Sequence, residues 1–412
     1  MSGDIIARAF VGLLRRDGEE AERVTYVELF FDLVFAFAIT QISAVLGEHP
    51  TPLSMLEGLV VTLAVWWVWV YTAWATNWLD PGRRRVLWLL LVLTATGLVM
   101  SIAIPSAFED RAALFVTAYL TYSFSRTLGV LGATRRAAPA IAAGQARILI
   151  WSSASGVFWV AGSFADDPWL RLTAWAVAVV IEYTGPWSMF WIPARGRSRW
   201  DAWRIRGGHF SERSALFIII VLGESILVVG RGLTDNGLTV PVVFAALAAF
   251  ANAVAMWFLY FAHGQDRGQR YIAGHETTGT VARTSYTYLH AVLVIGLVFS
   301  THGSELALEA PADHADLTVQ TLMLLGTAVY LAGLLAFKVS IGVQTGWIPT
   351  HVAGIAALLV MYGLGLAHVI DPTRVEVALL NTAVLLLVVI GDERLWRRRA
   401  AKASSPFGQA AS

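Results

Sequence analysis

The sequence predicts an all-α integral membrane protein of about twelve transmembrane helices, arranged as two parallel six-helix repeats. Three observations predict it. Apolar runs of membrane-spanning length recur along the whole chain, basic residues gather in every second loop, and short motifs return in the same order in the two halves. Composition agrees, with 57% apolar and 14% charged residues, against about 25% charged in ordinary soluble domains.

The apolar runs fall at 24–46, 54–77, 84–105, 110–131, 141–163, 169–191, 210–231, 240–263, 280–302, 318–339, 351–370 and 375–395. Each approaches the roughly 20 residues that cross the hydrocarbon core, and a lipid-facing segment must be helical to satisfy its backbone polar groups. No stretch is left for a sizeable soluble domain. The organisation expected is a cytoplasmic amphipathic or disordered tail over 1–23, a first six-helix half over 24–191, and a basic cytoplasmic loop over 192–209. A second half over 210–395 and a basic cytoplasmic tail over 396–412 complete it. Arg8, Arg15 and Arg16 interrupt the apolar residues of the first segment and no small-residue cleavage site follows, which argues against a signal peptide.

With the amino terminus inside, the cytoplasmic segments hold Arg23, Arg83–Arg85, Arg135, Arg136, Arg195 through Arg206, Arg267, Arg270, Arg394 and Arg397–Arg399. The opposite loops hold only Arg111, Arg171, Arg231 and Arg374, each at a helix edge. This asymmetry follows the positive-inside rule and predicts an inner-membrane protein with both ends on the cytoplasmic side. The same distribution explains the basic residues without nucleic acid as a partner; membrane lipid and a small solute or cation are the expected partners. The absence of cysteine excludes disulfides, thiolate metal sites and cysteine nucleophiles. Neither a phosphate-binding loop, a Gly-Xaa-Ser-Xaa-Gly elbow nor a zinc-protease helix occurs, so no catalytic residue and no cofactor is assigned.

Duplication is read from matched segments. Gly97-Leu-Val-Met-Ser101 in the third run answers Gly296-Leu-Val-Phe-Ser300 in the ninth, with Arg84 and Arg283 each thirteen residues upstream. Tyr119-Leu120 and Tyr330-Leu331 precede Arg126 and Lys338, and Val-Val-Ile at 179–181 and 388–390 precedes Glu182 and Asp392. An even number of helices per half makes such repeats parallel. Trp66, Trp67, Trp69, Trp74 and Trp78 run through the second helix instead of forming only interfacial belts. Large-residue packing explains them; an aromatic-lined site for a planar or cationic ligand is the alternative.

Charges inside apolar helices are the candidates for function, since each costs about 2.5–3.5 kcal/mol to insert. Glu28 and Asp32 are spaced i, i+4 on one helix face; counted from Arg23 they lie about 7 Å and 13 Å in. Glu182 sits at mid-depth in the sixth run, and Glu212, Arg213 and Glu224 lie along the seventh. Glu28, Asp32, Glu182, Glu212 and Glu224 are therefore the translocation or ion-binding candidates, because a buried unpaired carboxylate can exchange a proton or accept a cation. Arg126, Arg147 and Arg213 are expected to serve structural charge pairing, Arg126 and Arg147 at the level of Glu28. The alternative for each acid is a neutral carboxyl bonded to a neighbouring helix, with Thr40, Gln41 and Ser225 as nearby partners. His302 and Glu305 have helical metal-ligand spacing, a two-residue pattern too common to assign a metal.

Arg23-Val-Thr-Tyr-Val-Glu-Leu-Phe-Phe-Asp-Leu-Val-Phe-Ala-Phe-Ala-Ile-Thr-Gln41 resembles the opening signature of the bacterial low temperature requirement A family. His209-Phe-Ser-Glu-Arg-Ser-Ala-Leu-Phe-Ile-Ile-Ile-Val-Leu-Gly-Glu-Ser225 resembles its second signature. The resemblance covers nearly the whole chain and implies a multi-spanning bacterial membrane protein named for a cold-growth phenotype, without identifying an activity. Phe30 through Thr40 is also similar to the first-helix motif of the potassium channels marked by Phe-Ser-Asp, departing from it with Phe31 at the serine position and with Leu222-Gly223-Glu224 in place of a second such motif. The leading expectation is a transporter or ion-translocating protein in which Asp32 and Glu224 carry protons or bind a cation. A membrane-embedded sensor or scaffold, a cation channel and an intramembrane lipid-modifying enzyme are the alternatives.

Overall fold

The computed structural model describes residues 12–15, 24–47, 49–262, 265–342 and 348–403. Among them the chain is helical throughout, with only isolated bridge pairings outside the helices. The helices are α1 Tyr26–Leu46, α2 Pro52–Trp78, α3 Arg84–Ala103, α4 Ala112–Thr134, α5 Pro139–Ser163, α6 Pro168–Trp187, α7 Gly207–Asn236 and α8 Val240–Phe261. A short α9, Gln265–Gly274, precedes α10 Thr278–Glu309, α11 Leu317–Ser340, α12 Ile348–Leu366 and α13 Arg374–Ala403. Nine of these segments, within the described residues, are long and apolar enough to cross a membrane: α1, α2, Arg84–Ser106, α7, α8, α10, α11, α12 and Arg374–Arg398. Helices α4, α5 and α6 are of similar length, 23, 25 and 20 residues. Their hydroxyls and the charges Arg126, Arg147, Arg171 and Glu182 make them less apolar.

Helix starts follow local chemistry. Thr25 and Glu28 form a capping box at α1, and Thr51 with Ser54 forms another at α2, where Pro52 occupies a position whose N–H needs no intrahelical partner. Asp167 and Asp316 cap α6 and α11 through the amides of Leu170 and Val319. Helix α6 stops at Trp187, short of the expected 191. Met189 and Phe190 take left-handed φ of 55° and 49°, and the Phe190 amide closes on the Gly185 carbonyl at 2.7 Å, a turn that reverses the chain after the helix. At the other end α13 runs on to Ala403, so the segment expected as a tail from 396 is helical through that residue. Residues 404–412 and most of 1–23 lie outside the described residues. Of the latter, Leu13 and Arg15 pair with the end of α2 through Asp80 N to Leu13 O and Arg15 N to Trp78 O, at 2.9 and 3.0 Å.

The chain divides into two compact units, residues 1–220 with 269–291, and 221–268 with 292–412. Unit 1 is built around α2, which packs on α1, α4 and α6, while α3, α4, α5 and α6 pack successively on one another. A helix enclosed in this way has no polar face to offer, and Val60, Val61, Ala64, Val65, Trp66, Trp69 and Ala73 are all buried. Trp66 and Trp69 pack against each other and against Phe217, and Trp67 stacks on Tyr183 at 4.0 Å. The loop over 192–209 belongs to this unit and is docked onto it. Trp78 Nε1 donates to Arg204 O, Asn77 Oδ1 accepts from Arg206 N, and α7 begins before the loop's expected end, at Gly207.

Unit 2 packs α8 on α13, and α12 on both α11 and α13, with an apolar cluster of Val228, Val242, Ala245, Ala246, Ala249 and Leu308. Gly296 is where α10 and α11 come closest: a β-carbon there would stand 2.5 Å from the Tyr330 amide nitrogen, so only glycine fits. Two π-helical stretches, Ala282–Tyr288 in unit 1 and Thr321–Leu325 in unit 2, widen α10 and α11 locally.

Candidate functional site

Glu28 and Asp32 stack one turn apart on α1, and both meet Arg213 of α7. Arg213 Nη1 lies 3.1 Å from Glu28 Oε1 and its Nη2 2.6 Å from Asp32 Oδ1. All three side chains are essentially sealed from solvent. Glu28 takes further donors: Arg15 Nη2 at 3.0 Å, Thr25 N and Oγ1 at 3.0 and 2.9 Å, and His209 Nε2 at 3.1 Å. Asp32 accepts from Trp69 Nε1 at 2.8 Å on the same oxygen that faces Arg213, and its Oδ2 is buried without a hydrogen bond.

The histidine's tautomer follows from its neighbours. Asn77 Oδ1 accepts from Arg206 N at 2.7 Å, which leaves Nδ2 as the donor facing His209 Nδ1 at 3.3 Å. His209 Nδ1 therefore accepts, and Nε2–H donates to Glu28, the neutral form of the ring. Two guanidinium groups then balance two carboxylates, which is what makes so many charges tolerable in one buried place. For Arg15, outside the helices, burial lowers the guanidinium's pKa from its ordinary value and Glu28 acts to raise it.

The remaining acids do not join this network. Glu182 on α6 is buried and accepts three hydrogen bonds, from Tyr119 OH at 2.5 Å, Ser155 Oγ at 2.9 Å and Trp159 Nε1 at 3.2 Å. It is thus bonded to neighbouring helices, though by none of the partners that sequence proximity suggested. Thr40 bonds its own helix at Ala36 O, and Ser225 meets Thr301. Glu224 belongs to unit 2 and pairs with Arg231 at 2.6 Å; Arg231 also approaches Glu305, which His302 Nδ1 meets at 3.0 Å. Glu212 is half-buried on the first turns of α7.

Of the three arginines expected to pair with acids, Arg213 does so. Arg147 instead caps carbonyls, those of Phe190, Arg195 and Gly196 at 3.0, 2.8 and 2.6 Å, and pins the turn after α6. Arg126 meets no carboxylate within ion-pair distance among the described residues; its guanidinium lies over the Tyr71 ring at 4.8 Å and donates to Thr127 Oγ1. Glu28, the acid expected to meet Arg126 and Arg147, is instead engaged by Arg15, Arg213 and His209.

Several participants are less conspicuous in the sequence. Arg15 stood in a terminal tail and His209 at a helix end, and only the fold carries them 13 and 181 residues to Glu28. In unit 2, Lys338 Nζ and Asp392 Oδ2 lie 3.4 Å apart with His351 Nδ1 3.6 Å from the same carboxylate and Thr350 Oγ1 donating to it. Lys338 and Asp392 were visible as repeat markers, with nothing in their spacing to pair them.

A family model described as bacterial low temperature requirement A protein matches residues 23–390. An uncharacterized protein of Rhizobium meliloti (strain 1021) is 36% identical over 352 residues, 85% of each chain. No solved structure matches.

Proposed function

Because the chain belongs to the bacterial low temperature requirement A family and is a multi-pass membrane protein, we propose that it is a transporter or ion-translocating protein whose proton- or cation-handling centre is the Glu28, Arg213 and Asp32 network of unit 1. The observation that carries this reading is the buried Asp32 Oδ2, an acceptor with no partner beside a charge-balanced network. In such a setting a proton or a small cation at Asp32 competes with Arg213 for the carboxylate, so occupancy of Asp32 and the strength of the ion pair are linked. Glu28, held by five donor contacts, fixes Arg213 in place and is the positioning acid. Glu224, expected at first to share this task, is better read as a structural partner of Arg231. The test is reconstitution: liposomes carrying the protein, with a pH-sensitive dye inside and a potassium-diffusion potential imposed, should acidify or alkalinise faster than empty liposomes. Equal rates across the common cations would remove the reading.

We also read the chain as crossing the bacterial inner membrane twelve times, as two parallel sets of six, with both ends cytoplasmic. The charge asymmetry of the loops supports the orientation, and the matched Gly-Leu-Val-Xaa-Ser segments support the repeats. Because the chain has no cysteine, single introduced cysteines report on topology directly. Arg197→Cys should react with a membrane-impermeant maleimide only after the cells are opened. Asp110→Cys and Asp313→Cys should react in intact spheroplasts, and the reverse pattern would invert the orientation.

A further inference from the structure

Unit 1 holds a cavity of about 270 Å³ whose wall includes Trp74, Trp78 and Trp203 together with Arg126, Gln145 and Arg283. Its composition divides into two kinds of surface. The indole N–H groups are already used, by Thr287 Oγ1 for Trp74, by Arg204 O for Trp78 and by Ser198 Oγ for Trp203, so these residues offer the cavity apolar ring surface. The polar residues are only partly used, Arg283 Nη1 donating to Pro186 O at 3.2 Å and its guanidinium lying over the Trp200 ring. Arg126 is only 4% exposed, and both its Nη1 and Arg283 Nε are buried without a hydrogen-bond partner. The Gln145 side chain, 3% exposed, makes no hydrogen bond among the described residues.

Glu182 acts on Arg126 only across space, with no ion pair between them; a buried guanidinium so weakly compensated is costly to hold, and a ligand carboxylate or phosphate removes that cost through charge-assisted, forked hydrogen bonds. Charge in the wall points the same way, since Arg126, Arg204 and Arg283 face it against one acid, the exposed Glu276. Arg283 also sits in the π-helical stretch Ala282–Tyr288, a backbone irregularity that recurs at functional sites.

We propose that this cavity binds an organic anion, a carboxylate or phosphate head on an apolar or aromatic body, with Arg126 and Arg283 holding the head and Trp74, Trp78 and Trp203 enclosing the body. The head is chemically the same in a soluble organic acid and in an anionic lipid. None of the named residues belongs to the Glu28, Arg213 and Asp32 network, so the result for either site leaves the other standing.

The experiment uses the full chain in phosphatidylcholine nanodiscs, titrated calorimetrically with 2-naphthoate and with its neutral analogue 2-naphthylmethanol. Saturable binding of the anion is expected, with the neutral analogue weaker by about tenfold or more. Arg126→Gln should weaken naphthoate by a similar factor and Arg126→Lys by less. Because Arg126 makes no ion pair among the described residues, Arg126→Gln should not lower the ligand-free melting temperature, which a structural arginine would; Arg283→Gln, at a half-buried position, is the second variant. Native mass spectrometry of the detergent-purified protein separates the sources. An anionic phospholipid retained by wild type and lost from Arg126→Gln identifies a lipid head, whereas naphthoate binding with no such lipid identifies a soluble acid. Equal binding of naphthoate and naphthylmethanol, together with no lipid that depends on Arg126 or Arg283, overturns the proposal.

Discussion

Arg213→Met should destabilise unit 1 by about 3–5 kcal/mol, because it leaves two buried carboxylates with their shared cation removed. The effect is large for a specific reason. Arg213 is the only group among the described residues that contacts both Glu28 and Asp32. Arg15, Thr25 and His209 remain to satisfy Glu28, whereas Asp32 keeps only Trp69 Nε1. Arg213→Met combined with Asp32→Asn should therefore recover much of the lost stability, while Arg213→Met combined with Glu28→Gln should recover less. Thermal melts of the purified protein followed by tryptophan fluorescence would read the difference, and equal rescue by the two second substitutions would show that Asp32 does not depend on Arg213 as the distances imply.

Glu182→Leu should be comparably damaging, at about 2–6 kcal/mol, and Glu182→Gln close to neutral. One carboxylate accepts from a tyrosine, a serine and a tryptophan, each buried. Replacing it by leucine strands the Tyr119 and Trp159 donors at about 1–3 kcal/mol each, while Ser155 Oγ can turn to Ser152 O, 3.1 Å away. An amide keeps an acceptor oxygen for two of them. This contrast also separates two roles. If Glu182→Gln folds like wild type and retains flux, the acid is a structural hub joining α4, α5 and α6; if it folds but loses flux, its ionisable proton matters and the ion-handling centre is larger than the network around Arg213.

Much of this was legible in the sequence because the membrane makes it so. A lipid-facing apolar run of that length is satisfied as a helix, and among the described residues the expected runs fall on helices, nine of them long and apolar enough to cross a membrane. Charges such as Glu28, Asp32 and Arg213 stand out because apolar surroundings make them costly. What could not be read was which charges meet. The i, i+4 spacing placed Glu28 and Asp32 on one face, but Arg213 is 181 residues from Asp32, and no local rule selects it over Arg126 or Arg147. The same blindness hid the converse fact, that Arg126 makes no ion pair among the described residues. The tryptophans of α2 illustrate a mixed outcome: Trp66 and Trp69 are packing residues, while Trp74 and Trp78 line a cavity. Packing accounts for the first pair, and the ligand-site alternative has only the cavity beside the second in its favour. The end of α6 was misjudged for a different reason, since the left-handed turn at Met189 and Phe190 uses residues that ordinarily avoid it.

Glu224 and Asp32 hold matching places in the sequence, but their surroundings differ. It stands deep in the seventh apolar run as Asp32 stands in the first, yet Asp32 keeps an unpartnered oxygen and Glu224 is held at 2.6 Å by a half-exposed arginine. The most direct measurement is therefore proton or cation flux through proteoliposomes carrying equal amounts of folded wild type, Asp32→Asn and Glu224→Gln. The result expected is a loss of about tenfold or more for Asp32→Asn with Glu224→Gln close to wild type. Wild-type flux through Asp32→Asn would contradict the assignment of the Glu28, Arg213 and Asp32 network as the ion-handling centre.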